Sequence, residues 1–315
     1  MTSLALQRTH STVGGVLPVA PDVACLQLSI VNVCFIGAPD AGDRGWVLVD
    51  AGLKTSGRRI ARAAAERFGE HARPAAIVLT HGHFDHVGSL RSLAERWDAL
   101  IYAHELELPY LIGEAAYPPP EPRVGGGAMA AMSPLFPRGP YDFRPRMHML
   151  PDDGTVPGMP GWRWIHTPGH TPGHVSLFRE SDRALIAGDA FVTTKQESLL
   201  AALTQRPEIH GPPAYYTPDW GSSWESVELL SALEPELAAT GHGRPLRGVQ
   251  MRNGLRELAR NFDRLAIPPR GRYVERPQVE VADVYAPPSR RNPAAAMALG
   301  LALVMTGALV LRARR

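Results

Sequence analysis

Hydrophobic and polar positions change period several times along the chain, and each change marks an element. From Val23 to Ile36 the sequence VACLQLSIVNVCFI alternates and then turns apolar, which predicts two short strands. Trp46–Asp50 (WVLVD) predicts a third, ending at Ala51-Gly52. Ser56 is placed to cap an alanine-rich helix over Arg58–Phe68. The apolar run from Ala75 to Leu79 reads as a buried strand reaching Thr80. A helix from about Ser89 to Trp97 and a strand over Ala99–Ala103 follow. Strand, helix, strand, helix, strand is the pattern of a layered α/β domain.

Residues from Pro118 to Pro145 break this rhythm with proline and glycine, including GGGAMAAMSPLFPRGP. So long a loop inside a compact domain is expected as a lid or binding loop, or else as a disordered segment. Strands resume at Trp162–His166, Val175–Phe178, Ala184–Ala187 and Leu237–Thr240, with helices at Ser223–Leu233 and Val249–Leu265. The expected organisation is one catalytic domain over residues 1–266, an extended linker over 267–292 and an apolar tail helix over 293–311. That tail, PAAAMALGLALVMTGALVL, carries no charge and is flanked by arginines. A span needs at least ~17 apolar residues, so the tail is predicted to cross a membrane, with an amphipathic or core-docking helix as the alternative. The first residues, MTSLALQRTHSTVGG, do not have the form of a signal peptide. Together these predict a cytoplasmic catalytic domain anchored to the membrane by its C-terminal tail.

Composition adds three points. Glycine and proline number 30 each in 315 residues, which predicts extensive loops. A formal net charge of +2 offers no electrostatic footprint for nucleic acid. Cys25 and Cys34 both fall in strand-like runs; they are expected as buried free thiols of a reducing compartment, with a disulfide between neighbouring strands as the alternative.

The candidate chemistry begins in LTHGHFDHVG, Leu79 to Gly88, at the mouth of a predicted buried strand. His81, His83, Asp85 and His86 crowd into six positions. Burying a carboxylate beside imidazoles is costly unless something compensates it. A divalent metal does so, because neutral imidazole and carboxylate are its ordinary ligands. Further candidates lie beside other strands: His170 and His174 in TPGHTPGH, Asp189 in LIAGDAF and His242 in ATGHG. Strand ends are where α/β folds gather ligands.

THGHFDH, GHTPGH, GDA and TGHG, in this order, resemble the motifs of the metallo-β-lactamase-fold hydrolases, over roughly Val13 to Leu265. The resemblance implies an αββα four-layer sandwich with a two-metal site between the sheets. It implies that His81, His83 and His170 hold one metal, that Asp85, His86 and His242 hold the second, and that Asp189 bridges them. His174 and Asp50 are expected to support these ligands from behind. The implied cofactor is two divalent metal ions, zinc first, with iron or manganese as alternatives. The implied activity is cleavage of an ester, thioester or lactone of a small molecule by a metal-bridging hydroxide, with Asp85 orienting the water or relaying its proton. The alternative is an oxidoreductase with a single iron, similar to the persulfide dioxygenases. A scaffold that merely retains a metal is disfavoured by the complete ligand set.

Departures from individual branches narrow the reading to the glyoxalase II and lactonase-like side. A histidine directly follows Asp85, unlike in antibiotic β-lactamases, and His83 stands where the diiron flavoprotein branch has glutamate. Only 52 residues separate Asp189 from His242, too few for the inserted domain of the nuclease branch. The helical glutathione-binding region of glyoxalase II-like enzymes is not evident after Leu265. The tyrosine that lactonases place after the bridging aspartate is missing from AFVTTK, although Tyr215 and Tyr216 are positioned to replace it. Tyr102, Tyr110 and Tyr117 are expected as packing or loop residues. The loop from Tyr117 to Tyr141, with Met129, Met132, Leu135 and Phe136, is expected to cover an apolar acyl group.

Overall fold

Residues 15–275 are described by the computed structural model of the protein. Twelve strands form two sheets. The larger contains β1 (Val16–Ala20), β2 (Val23–Gln27), β3 (Asn32–Ile36), β4 (Val47–Val49), β5 (Ala76–Val78), β6 (Ile101–Ala103) and β7 (Met147–Met149), neighbouring one another in chain order. Its first four strands pair antiparallel and the remaining pairings, from β4/β5 onward, are parallel. The smaller contains β8 (Trp162–His166), β9 (Val175–Arg179), β10 (Ala184–Gly188), β11 (Leu237–Thr240) and β12 (Leu246–Arg247), in the order β12-β11-β10-β9-β8.

The predicted strands are apolar on both faces because both faces are covered. Cys34, Ile36, Val47, Val49, Ala76 and Val78 join Val175, Leu177, Ala184, Ile186 and Ala239 in a core between the sheets. The alternate residues Phe35, Leu48 and Ile77 face outward into a second core shared with the helices. On the larger sheet these helices are α1 (Gly57–Phe68), α2 (Phe84–Val87) and α3 (Leu90–Trp97). Trp46, fully buried, stacks on Phe68 of α1 with ring centroids 4.5 Å apart and meets Trp97 of α3 edge-on at 5.3 Å. Short helices α4 (Leu108–Leu111), α5 (Ala128–Met132) and α6 (Leu199–Thr204) lie in the connections. The smaller sheet is covered by α7 (Trp220–Ala232) and α8 (Gly248–Arg260), and α9 (Phe262–Leu265) and α10 (Arg272–Glu275) complete the described chain. The result is the αββα four-layer sandwich.

Several expectations are refined. The helix expected over Val249–Leu265 is divided at Asn261, and its two parts are α8 and α9. Strands β1, β7 and β12 carry too little alternation to be read in advance. The stretch expected as a linker from 267 begins with α10, whose Tyr273 hydroxyl donates to the Pro119 carbonyl. Cys25 and Cys34 are cross-strand partners in β2 and β3, with Cα atoms 4.3 Å apart, and form a disulfide. Direct register thus replaces the expected free thiols, and the argument for a reducing compartment goes with them.

The expected membrane anchor is also corrected. The longest helices, α7 and α8, have 13 residues each, and among the described residues no helix is long and apolar enough to cross a membrane. The apolar run over 293–311 lies outside the described residues. Membrane anchoring, and the localisation built on it, is therefore not supported.

Candidate metal centre

The polar motifs meet at one edge of the sandwich. His81, His83, Asp85 and His86 follow β5, where Gly82 and the start of α2 turn the chain back on itself. His170 precedes β9, Asp189 follows β10 and His242 follows β11. All seven side chains are buried. They form three overlapping groups, each with ligand atoms within 4.8 Å of one another: His81, His83 and His170; Asp85, His86 and His242; and His81, His86 and Asp189.

Asp189 joins the groups. Its Oδ2 lies 3.0 Å from His242 Nε2, 3.4 Å from His170 Nε2 and 3.6 Å from His86 Nε2. Asp85 Oδ2 lies 3.6 Å from His242 Nε2. Ring nitrogens also face one another, His81 Nε2 at 3.1 Å and His170 Nε2 at 3.0 Å from His83 Nδ1. Close approach of the chain is obligatory here. A Cβ on Gly241 would collide with the Asp189 carboxylate, and one on Gly82 would collide with the Tyr117 hydroxyl.

The outward-facing ring nitrogens are held from behind. His81 Nδ1 is 3.1 Å from Thr80 Oγ1, His170 Nδ1 is 3.1 Å from Thr217 Oγ1, and His242 Nδ1 donates to the Ile30 carbonyl at 2.5 Å. His86 Nδ1 donates to Asp50 Oδ2 at 2.8 Å. Asp50 also accepts the Thr80 backbone N–H and hydroxyl, each at 2.8 Å. It does so from a left-handed backbone conformation, φ 61°. Such partners fix the tautomer and direction of a metal-ligating imidazole. His174 has no nitrogen left for an ion: Nε2 accepts the Asp189 N–H at 2.8 Å and Nδ1 lies 2.9 Å from Thr167 Oγ1.

The donor set fits cations. His86 Nε2 and Asp189 Oδ1 are buried with no hydrogen-bond partner among the described residues. Buried polar atoms are rarely left so, and an ion or ordered water is the usual partner. Burial depresses the imidazoles of His81, His83 and His170, the last to about 3, so all three are neutral as ligation requires. Burial opposes charge on His86 too, but Asp50, Asp189 and Asp85 outweigh it and raise its affinity for a proton. Burial likewise pushes the Asp85 carboxyl up.

Two aromatic residues wall the His83 side. Tyr216 stacks on its ring at 4.6 Å, and Tyr117 meets it edge-on at 4.6 Å. Tyr216 therefore reaches the site as expected, and Tyr117, expected only to pack, does so as well. His104 has other partners. It stacks on His166 at 4.4 Å and its Nδ1 accepts the Leu106 N–H, starting a helical turn. Both Thr217 and Glu107 escape sequence reading, since neither stands in a recognisable motif.

Glu107 is fully buried and ties three segments together. Its Oε1 accepts the Gly173 N–H at 2.9 Å; its Oε2 accepts the Gly82 N–H at 2.9 Å and the Tyr117 hydroxyl. Gly82 lies between two of the clustered histidines and Gly173 lies beside His174. Glu107→Gln turns one acceptor oxygen into a donor facing N–H groups. It is expected to destabilise the fold by about 1–3 kcal/mol and to weaken metal affinity by about tenfold. Thermal melts and metal titration test this; a variant that matches the parent in both would show that Glu107 does not position these loops.

Comparison with known proteins decides the family. The model of the metallo-beta-lactamase superfamily matches residues 27–242. The chain belongs to this superfamily. It is 48% identical over 240 residues to the probable metallo-hydrolase YflN of Bacillus subtilis (strain 168), covering 76% of this chain and 90% of that protein. It is 25% identical over 115 residues to the hydroxyacylglutathione hydrolase GloC of Haemophilus influenzae (strain ATCC 51907 / DSM 11121 / KW20 / Rd), covering 36% and 48%. A beta-lactamase domain protein from Burkholderia ambifaria shares the fold with a TM-score of 0.56 and 23% identity, over 82% of this chain and 75% of that one. A superfamily of metallo-hydrolases and a buried histidine–aspartate cluster support an enzyme that uses divalent metal.

Proposed function

We propose that this protein is a dinuclear metal-dependent hydrolase of an ester, thioester or lactone bond in a small molecule. The observation that carries the reading is the position of Asp189, whose Oδ2 approaches histidines of both outer groups. His81, His83 and His170 would hold one ion; Asp85, His86 and His242 would hold the other; Asp189 would serve both. Two such ions would polarise a substrate oxygen and lower the pKa of a bound water.

The chain's own residues do the rest. Asp85 orients the attacking water and takes its proton on a carboxylate oxygen. Asp50, Thr80, Thr217 and the Ile30 carbonyl keep the imidazoles aimed. Tyr117 and Tyr216 exclude bulk water from the His83 side, which strengthens electrostatic interactions within. The relative named for hydroxyacylglutathione, a thioester, favours an acyl bond over a phosphodiester, and the small net charge of +2 agrees.

Assays of the metal-loaded protein on thioesters, lactones and phosphodiesters test the reading. Turnover of a thioester or lactone, abolished by chelation and restored by metal, is expected. Turnover confined to phosphodiesters would refute it, as would oxygen uptake with a thiol and no hydrolysis.

A further inference from the structure

A cavity of about 670 Å³ opens beside the metal centre, well within the range of small-molecule sites. Its wall is largely apolar, with Phe84, Val87, Met129, Leu135, Phe136 and Tyr141 prominent. None of the seven clustered residues lines it, and covalent neighbours in the chain tie its wall to the cluster. Phe84 and Val87 belong to the same short helix as Asp85 and His86, and Ile30, also in the wall, supplies the carbonyl that holds His242. Rings continue the path: Tyr216 stacks on His83 and packs near Phe84 at 6.5 Å, and Phe84 stacks on Phe136 at 5.0 Å. Met129, Leu135 and Phe136 come from the segment between Tyr117 and Tyr141, so one long excursion of the chain roofs the chamber.

Two hydroxyl groups along this path lack acceptors. Tyr216 and Tyr141 each bury a phenol whose proton meets no acceptor among the described residues. A buried donor without an acceptor costs about 1–3 kcal/mol, and a ligand oxygen would remove that cost. The charged side chains in the wall do not favour one sign. Lys54 and Arg91 are matched in number by Glu95 and Asp142.

We infer that this chamber is the acyl site. It takes the apolar acyl chain of a carboxylic ester, thioester or lactone, while the Tyr141 and Tyr216 hydroxyls donate to oxygen at the polar end of that chain. The inference rests on the hydrolase reading above and names the substrate class for it. The wall explains the preference: each methylene moved from water into it contributes about 0.8 kcal/mol, and no net charge is there to recruit an ionic acyl group.

The test uses the full chain, loaded with metal, and acetyl, butanoyl, hexanoyl, octanoyl and decanoyl thioesters of one thiol. The expected result is a rise in kcat/KM of about two- to fourfold per methylene until the chamber is full. In Phe136→Ala the octanoyl-to-acetyl ratio falls by about tenfold or more. Tyr216→Phe and Tyr141→Phe lower kcat/KM about tenfold for every chain, leaving the dependence on length intact. Calorimetric titration with hexanoate and decanoate gives a second readout that needs no turnover, and decanoate is expected to bind more tightly. Hydrolysis of all five thioesters at one rate, with equal binding of the two acids, overturns the acyl site but leaves the hydrolase reading standing. Tighter decanoate binding, lost in Phe136→Ala, without hydrolysis of any thioester or lactone refutes the hydrolase reading and keeps an apolar-chain site.

Discussion

Asp189→Ala is expected to abolish two-metal occupancy and to lower kcat/KM on the order of a thousandfold or more, since it removes charge stabilisation at the centre of the site. The reasoning is geometric. Asp189 Oδ2 is 3.0 Å from His242 and 3.4 Å from His170, and these histidines belong to different groups. Its other oxygen, Oδ1, is buried without a partner. Burial works against the charge, but His242 and His86 hold this carboxyl well below the usual carboxylate range, so it is an anion at neutral pH. Removing it would leave neighbouring cations uncompensated and a second ion without a shared ligand. Metal analysis and steady-state kinetics on the folded variant check this. Two ions per chain and unaltered kinetics would remove Asp189 from the centre.

Asp50→Asn is expected to weaken metal binding by about 10- to 100-fold, with a parallel loss of activity at limiting metal. Asp50 touches His86 rather than an ion, so its effect acts through the direction and basicity of that imidazole. Asparagine is the clean replacement, because it tolerates the left-handed conformation at φ 61° that alanine would strain. It keeps the shape and loses the charge. The carboxylate faces three donors, from the Thr80 backbone, the Thr80 hydroxyl and His86 Nδ1. An amide must point N–H at one of them or rotate the ring. Metal titration in competition with a chelator measures the change, and excess metal is expected to restore part of the activity. Unchanged affinity would mean that the Asp50–His86 contact does not set the ligand.

The chain shows unevenly how far sequence can be read. The two cores are legible because strands buried on both faces are continuously apolar, as in Ala75 to Leu79, and because Gly82 and Gly188 mark where such strands end. The polar cluster is legible because its residues are dense and locally patterned. His170 and His174 are equivalent in TPGHTPGH; the hydrogen bonds to Asp189 and Thr167 are what separate them in the structure. Glu107 and Thr217 are invisible beforehand because Glu107 reaches Gly173 across 66 residues and Thr217 reaches His170 across 47. No local pattern encodes such a contact. The cysteines show the same limit: both lie in strands, but only the register of β2 on β3 sets them opposite. The apolar run over 293–311 lies outside the described residues.

The metal content of the purified full-length chain, measured without added metal, bears most directly on the centre. Close to two divalent ions per chain, with two-ion occupancy lost in Asp189→Ala, is the predicted result. A single iron per chain, or no tightly bound metal, would contradict a dinuclear site.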